Sequence, residues 1–313
     1  MSSKKNNRIL LIVFAVLLVA VGINQLVKSN RGERTFRKDI IDYQANDIKK
    51  ISIFPKNAGT KYVDVILQDT IWKIKVDSKY FAADQEMIKG IVDELANMVP
   101  ERLVANKKDL WKDYDITDSL GVKVIVYNQK NDQTQITLGR FTYNQSTRKP
   151  STYVRVNQEK EVYATEGFLG MTFNREINNL RDKNIFRGNK NDLTQIIFTY
   201  PADSSFTLTK ETNRWTLNGA VVDSAKMAGY LGTVSYLTGA DFRDDFIPAG
   251  VSGELFKITI NGLNMKPVEI TAYQDATGMV IHSSENSTSY FSGEKGGLFK
   301  RAFPGRSNFL GMK

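Results

Sequence analysis

The sequence predicts an α+β protein: two tandem, mostly antiparallel sheet modules, each with one or two covering helices, behind one N-terminal transmembrane helix. Two observations lead to this prediction. One order of landmarks occurs twice, namely an apolar strand, a strand pair closed by a tryptophan, and a helix that begins after an aspartate. An apolar run of membrane length precedes both copies. Because matching landmarks keep nearly the same spacing, we interpret the copies as a duplication with small loop changes.

The first element is the apolar run of residues 9–27, which we interpret as a transmembrane anchor. Only Asn24 and Gln25 interrupt it. At ~1.5 Å rise per residue its length is roughly 28 Å, close to the thickness of the hydrocarbon layer. A cleaved signal peptide is the alternative, because the small residues Ala20-Val21-Gly22 have a suitable spacing for cleavage. No cysteine follows the run, which excludes a lipoprotein anchor.

Charge around the anchor bears on its orientation. Lys4, Lys5 and Arg8 precede it without an acid, which is typical of a leader that stays in the cytoplasm. A second basic cluster follows it: Lys28, Arg31, Arg34, Arg37 and Lys38. We still expect residues 1–8 to be a cytoplasmic tail, because such segments usually export a long following domain whatever its nearby charge. The predicted location is the cytoplasmic membrane, single-pass, with the C-terminal domains in the periplasm.

Composition excludes several kinds of site. The chain has no cysteine, so it has neither a disulfide nor a thiolate metal site, and a reactive-cysteine mechanism is ruled out. Its net charge is +9, but basic residues are largely interleaved with acids, so we expect no nucleic-acid partner. No nucleotide-binding or other cofactor motif occurs, and we expect no cofactor.

After a tether over residues 28–46, the first module is predicted to cover residues 47–186, which includes a bridging segment over 168–186. Apolar and polar residues alternate over 51–54, 62–67 and 71–76, which predicts strands. A helix is expected to begin after Asp84, its N-cap, and to end at Pro100. Its buried stripe is predicted to be Met87, Ile88, Ile91, Val92, Leu95 and Met98.

The second module is predicted to cover residues 187–313 and to repeat this order. Its helix is capped by Asp223 and buries Met227, Tyr230, Leu231, Val234 and Leu237. Trp72 and Trp215 occupy equivalent places, so we interpret both as core aromatics. Later strands also correspond: 121–127, 135–138, 153–156 and 162–163 in the first copy match 255–260, 268–271, 280–282 and 289–291 in the second.

Short motifs along this order resemble a known family. They are Leu138-Gly139-Arg140, Tyr153-Val154-Arg155, Val162-Tyr163 and Leu180-Arg181-Asp182-Lys183. With the tryptophan and the aspartate-capped helix, they resemble the bacterial domain of unknown function 4340 family. The resemblance implies one N-terminal anchor, exposure outside the cytoplasmic membrane, and an accessory role beside ABC-type transporter components of the gliding-motility kind. The family offers no catalytic residues to carry over.

Individual candidates for a site are weak. The one histidine, His282, lies in an alternating strand without partners for a triad or a zinc site, so we expect a structural role. Asp241, Asp244 and Asp245 lack the spacing and glycine of a calcium loop and are interpreted as a solvated loop. Gly293, Gly296 and Gly297 near Lys295 are interpreted as a flexible loop. We therefore predict no catalytic, cofactor-binding or metal-binding residue.

These observations favour a non-enzymatic, membrane-anchored periplasmic accessory or scaffold protein with an envelope protein partner, and the expected partner is an ABC-type transporter complex. The alternative is a periplasmic binding module for glycan, lipid or peptide, and a hydrolase is the third hypothesis. A concave cluster of polar residues would favour the second or third hypothesis, and a flat apolar patch would favour the first. The oligomeric state stays open.

Overall fold

The structure is a computed structural model that describes residues 37–56, 62–145, 148–212, 214–251, 253 and 255–310. The predicted anchor, residues 9–27, lies outside these described residues. Within them, none of the helices has the length and hydropathy that a membrane span requires.

The described residues form a sheet-rich α+β protein, as predicted. The strands are β1 (Ile48–Phe54), β2 (Val63–Gln68), β3 (Ile71–Val76), β4 (Lys79–Ala82), β5 (Pro100–Ala105), β6 (Val122–Asn128), β7 (Gln133–Asn144), β8 (Lys149–Val156), β9 (Val162–Glu166), β10 (Asn184–Arg187), β11 (Leu193–Thr199), β12 (Phe206–Glu211), β13 (Arg214–Leu217), β14 (Ala220–Val221), β15 (Tyr236–Thr238), β16 (Phe256–Gly262), β17 (Val268–Asp275), β18 (Gly278–Ser283) and β19 (Tyr290–Ser292). The α-helices are α1 (Gln85–Ala96), α2 (Leu169–Phe173), α3 (Ser224–Val234) and α4 (Leu298–Ala302). Short 3-10 helices occupy Ala45–Asp47, Lys108–Tyr114, Ile177–Asn179, Pro248–Gly250, Ser284–Asn286, Lys295–Gly297 and Arg306–Phe309.

Two large sheets repeat one strand order. The nine-stranded sheet has the order β4-β3-β2-β1-β6-β7-β8-β9-β5, and the eight-stranded sheet has the order β14-β13-β12-β11-β16-β17-β18-β19. Across each sheet, the first four strands follow one another in reverse sequence order, and the next four follow in sequence order. The copies differ in the strand after the long helix, because β5 pairs with β9 whereas β15 pairs with β10 in a separate two-stranded sheet.

Contacts between residues group the described chain into two compact units. The first comprises residues 37–48, 53–56 and 92–174, and the second comprises residues 49–52, 62–91 and 175–310. The predicted domain boundaries stay a prediction. Ile40 and Ile41, which lie in the predicted tether, are buried, and the N–H of Ile40 donates to the Met98 carbonyl over 3.0 Å.

Strand periodicity places the core of the first unit on one face of β6, β7 and β8. Val122, Val124 and Val126 are buried on β6, as are Ile136 and Leu138 on β7. Val122 pairs with Leu138, and Val124 pairs with Ile136, so these side chains share one face. The alternate residues of the same strands face the other side, where they form the site described below.

The second unit has an aromatic core around Phe198 of β11. Its ring lies 4.3 Å from that of Phe206 and 6.1 Å from that of Phe309. Tyr230 of α3 joins the cluster and donates from its hydroxyl to the Ala302 carbonyl over 3.1 Å. Burial raises the pKa of the Tyr230 hydroxyl well above its usual value. Phe309, near the C-terminus, therefore belongs to the core of the second unit.

Both predicted helix caps are confirmed, with smaller differences in the helices themselves. Asp84 Oδ1 accepts from the N–H of Met87, and Asp223 Oδ1 accepts from the N–H groups of Ala225 and Lys226. The first helix ends at Ala96, before Pro100 opens β5. In its predicted stripe Met87 is half-buried, and the others are buried: Ile88, Ile91, Val92, Leu95 and Met98.

The predicted bridging segment, residues 168–186, contains α2, a 3-10 turn and most of β10. Two predictions need correction. Leu237 is buried in β15 and lies outside the helix to which its spacing assigned it. Trp72 and Trp215 are half-buried. Each is the second residue of its strand, β3 or β13, as expected for equivalent positions. Only part of each indole ring is buried, however.

Candidate functional site

A polar cavity of about 460 Å³ opens in the first unit. It is lined by Phe54, Pro55, Lys56, Asp118, Ser119, Gly121, Lys123, Gln135, Thr137 and Gln158. The lining mixes ammonium, carboxylate, amide and hydroxyl groups, which can both donate and accept hydrogen bonds. Such a concave set of polar groups is a default candidate for a binding site.

Strand register brings the floor of the cavity together. Lys123 of β6 pairs with Thr137 of β7, and Thr137 pairs with Arg155 of β8. Directly paired residues point to the same face of a sheet, so these three side chains form one row. Gln135 lies two residues from Thr137 and therefore shares this face. Its N–H donates to Asn157 Oδ1 over 3.0 Å.

Arg155 is the buried support of this row. Its side chain is fully buried, and its guanidinium carbon lies 4.1 Å from the ring centre of Trp111. Nη2 donates to Asp118 Oδ1 over 2.8 Å and to Thr137 Oγ1 over 3.2 Å. Nε and Nη1 donate to the carbonyls of Ile116 and Asn157. Each guanidinium nitrogen thus has an acceptor, as a buried cation requires.

A short loop after the 3-10 helix Lys108–Tyr114 closes one side of the cavity. The helix ends at Tyr114, and Asp115, which follows it, has a left-handed φ of 55°. The N–H of Gly121 donates to the Thr117 carbonyl over 2.9 Å. A Cβ at position 121 would lie 2.4 Å from Thr137 Cγ2, so only glycine lets the loop approach the strand this closely. This approach places Asp118 and Ser119 at the cavity.

Two lysines bring positive charge to the cavity. Lys123 Nζ lies 3.9 Å from the ring centre of Phe54, a cation–π contact that helps to hold the ammonium in place. Lys56 is positioned through its backbone, since its N–H donates to Asn174 Oδ1 over 3.0 Å. Within the described part of the chain, neither ammonium forms an ion pair with a carboxylate.

His282 and the acidic residues Asp241, Asp244 and Asp245, which are the site candidates from the sequence, lie in the second unit. His282 stacks on Tyr290 with ring centres 4.8 Å apart, and its Nε2 contacts the Ser287 carbonyl at 3.3 Å. It lies far along the chain from the residues of the cavity and does not line it. Among the described residues, no three His, Asp or Glu side chains lie close enough to share a metal ion.

Asp244 lies in an exposed turn, as predicted, but its carboxylate also has a buried partner. Its carboxylate receives two hydrogen bonds from Arg181, whose side chain is only 1% exposed: Nη1 to Oδ2 over 2.7 Å and Nη2 to Oδ1 over 2.9 Å. The guanidinium carbon lies 3.8 Å from the ring centre of Phe81 and 3.6 Å from that of Phe242. Asp244 is therefore the counter-ion of a buried arginine.

Asp245 has a different partner. It pairs with Arg243, which also contacts Asp275 over 2.8 Å. The hydrogen bond from Arg243 lowers the pKa of the exposed Asp245 carboxyl. For Asp275, burial opposes ionisation, but hydrogen bonds from Thr277 and Arg243 outweigh it and lower the pKa. Asp244 thus pairs with Arg181, whereas Asp245 and Asp275 share Arg243.

Comparison with known proteins assigns the chain to a family. The family model described as Domain of unknown function (DUF4340) matches residues 72–251, more than half of the chain. The chain belongs to this family. No curated protein and no solved structure gives a significant match to this DUF4340 chain.

The motifs that carry the DUF4340 resemblance have structural explanations. Gly139 lies where β7 shifts register, and a Cβ there would lie 2.1 Å from the Tyr114 carbonyl oxygen. Arg155 supports the polar cavity. Arg181 is the buried arginine paired with Asp244, and its neighbour Asp182 accepts from the N–H of Asn184 over 2.9 Å. These motifs therefore hold the folded units in shape.

The cavity is not predicted from the sequence. Lys123, Gln135 and Thr137 were assigned to strands, but no site was predicted from them. The available signal was their position on the face opposite the buried valine, isoleucine and leucine side chains of the same strands. This signal identifies a site only when the strand register is known, because the register places Lys123 beside Thr137 and Arg155. The sequence of one strand alone does not determine that register.

Proposed function

We propose that this DUF4340 protein is a non-enzymatic, membrane-anchored periplasmic protein that acts by binding a polar ligand in the cavity of its first unit. The observation that carries this proposal is the concave set of polar side chains on β6, β7 and the adjoining loop. Of the two leading hypotheses from the sequence, it favours the binding module. The support for these side chains is rigid, because Arg155 of β8 connects the loop to Thr137 of β7.

The first test blocks the cavity without disturbing the core. Ser119 is an exposed lining residue, so Ser119→Trp is expected to fill the mouth while leaving unfolding of the free protein unchanged. A library of saccharides, peptides and lipids would be screened by thermal shift on the full chain. We expect at least one class to raise the Tm of the wild type and not of Ser119→Trp. A ligand at one hundred times its Kd adds about 2.7 kcal/mol of stability.

The control for this test is Ser78→Trp, the same change at an exposed turn residue outside the cavity. It should retain the ligand-dependent shift. Mass spectrometry of the recovered ligand checks the non-enzymatic part, since the ligand should keep its mass after prolonged incubation. Equal shifts in wild type and Ser119→Trp, or a cleaved ligand, would each contradict the proposal.

In this proposal, residues 9–27 hold the protein in the cytoplasmic membrane with its folded units in the periplasm. Protease added to spheroplasts should then digest the chain after Arg31, while the undigested protein sediments with the membranes. A cytoplasmic enzyme measured in the same sample should remain intact. Protection of the whole chain would overturn the orientation, and release into the soluble fraction would favour cleavage after Gly22.

An accessory scaffold is the second candidate, and an exposed apolar group favours it. Phe168 and Met171 of the first unit are 48% and 59% exposed, and Phe168 stacks on Phe141 with ring centres 5.0 Å apart. Exposed apolar patches often mark protein contacts. A transporter component cross-linked in membranes should then be lost with Phe168→Asp and kept with Ser119→Trp. Its recovery from both variants would eliminate this candidate surface.

A further inference from the structure

The charges at the cavity favour an anionic ligand. Two ammonium groups, those of Lys56 and Lys123, line it against one carboxylate, that of Asp118. Asp118 is already paired with the buried Arg155. The lining therefore carries an excess of positive charge. Because the site is concave, it focuses the electrostatic field of these charges.

The same groups favour a carboxylate over a phosphate. A guanidinium fork binds phosphate and carboxylate alike, and lysines bind either as point charges, so the other lining groups decide between the two anions. Here every nitrogen of Arg155 already donates to a protein oxygen. Asp118, whose side chain is 81% exposed, would also repel a dianion. A singly charged carboxylate suits two lysines, which bind as point charges.

The remaining lining groups favour a sugar as the carrier of that carboxylate. Vicinal hydroxyls need donors and acceptors close together, and the cavity supplies the amides of Gln135 and Gln158, the hydroxyls of Ser119 and Thr137, and the Asp118 carboxylate. An extended peptide binds by adding a strand to a free sheet edge, and an acidic one by contacting a cluster of arginines, which the residues of this lining do not include. Strands β6 and β7 each have neighbours on both sides, so they offer no free edge.

We propose that the cavity binds a carboxylated sugar, a uronic acid residue within a glycan, with Lys123 and Lys56 contacting the carboxylate and Asp118 accepting from ring hydroxyls. This inference rests on the proposed binding function of the first unit. It gives that function a chemical class of ligand.

Calorimetric titration of the full-length protein tests it with four probes: trigalacturonate, neutral galactotriose, tetraglutamate and inorganic phosphate. We expect trigalacturonate to bind at least tenfold more tightly than any other probe. Lys123→Gln should weaken trigalacturonate binding at least tenfold. Lys107→Gln makes the same charge change at an exposed residue outside the lining and should have no effect. Lys123→Met, which keeps the apolar stem over Phe54, should behave like Lys123→Gln.

The outcomes separate this inference from the function on which it rests. Equal affinity for galactotriose, tighter binding of tetraglutamate or phosphate, or full affinity in both Lys123 variants would overturn the uronic acid. If another ligand class then shows a thermal shift that Ser119→Trp removes, the binding function survives without it. Trigalacturonate binding that Ser119→Trp leaves unchanged would overturn the use of this cavity and the inference together.

Discussion

Replacing Asp244 by alanine is expected to lower the free energy of unfolding by about 3 kcal/mol. The substitution leaves the guanidinium of Arg181 buried between the rings of Phe81 and Phe242 without its counter-ion. Arginine cannot escape by losing a proton. We take the low end of the range for broken buried pairs because the Asp244 side chain is 41% exposed, so water can partly replace it.

Urea unfolding monitored by circular dichroism measures this effect, and Asp245→Ala is the matched control. Asp245 is the next residue and also pairs with an arginine, but its side chain is 74% exposed. Exposed pairs contribute at most about 1 kcal/mol. The double variant Arg181→Met/Asp244→Ala should recover much of the loss, because the unpaired charge is gone. Equal losses for Asp244→Ala and Asp245→Ala would show that Arg181 does not need its partner.

The second large effect is expected at Gly139, where alanine should cost about 2 kcal/mol or more. A Cβ at this position would lie 2.1 Å from the Tyr114 carbonyl oxygen and 2.5 Å from Ile116 Cγ2. The first of these atoms is backbone, which cannot turn away as a side chain can. Relief would require the loop after the 3-10 helix to move, and that loop carries Asp118.

Gly90→Ala is the control for this prediction. Gly90 lies inside α1, and a Cβ there would meet no atom within 4 Å. Alanine at an open helical position should stabilise by about 0.5–1 kcal/mol. The two glycine substitutions should therefore shift the urea midpoint in opposite directions. A midpoint raised by Gly139→Ala would show that the close approach to Tyr114 is not required.

Much of the fold could be predicted because its signals are local. Alternation identified β1, β2 and β3, and an aspartate before an apolar stripe located both long helices. Comparing the order of these signals also suggested that the strand order is repeated. The short strands β10, β14 and β15 gave too few residues for a pattern, so they were missed.

The candidate site depended on contacts between distant residues, which a single sequence does not encode. The acidic and polar neighbours of Asp244 correctly predict a loop, but they do not indicate its partner Arg181, which lies 63 positions away. The tryptophans looked like core residues because of their size and recurrence. Their half-burial depends on which neighbouring strands and helices cover them, and that information is tertiary.

The strand order of the second sheet also determines where chain entropy opposes folding. Six of its seven neighbouring pairs join consecutive strands through hairpins, and only β11 and β16 meet across a long stretch of chain. Each hairpin closes a short loop, so most of the sheet can form from nearby residues. The entropic cost of closing a long loop therefore falls on the β11–β16 pair, where Ile196 pairs with Ile260 and Phe198 pairs with Ile258. The sheet thus consists of two meanders, β11–β14 and β16–β19, each formed by local contacts. One non-local strand pair with apolar side chains joins them.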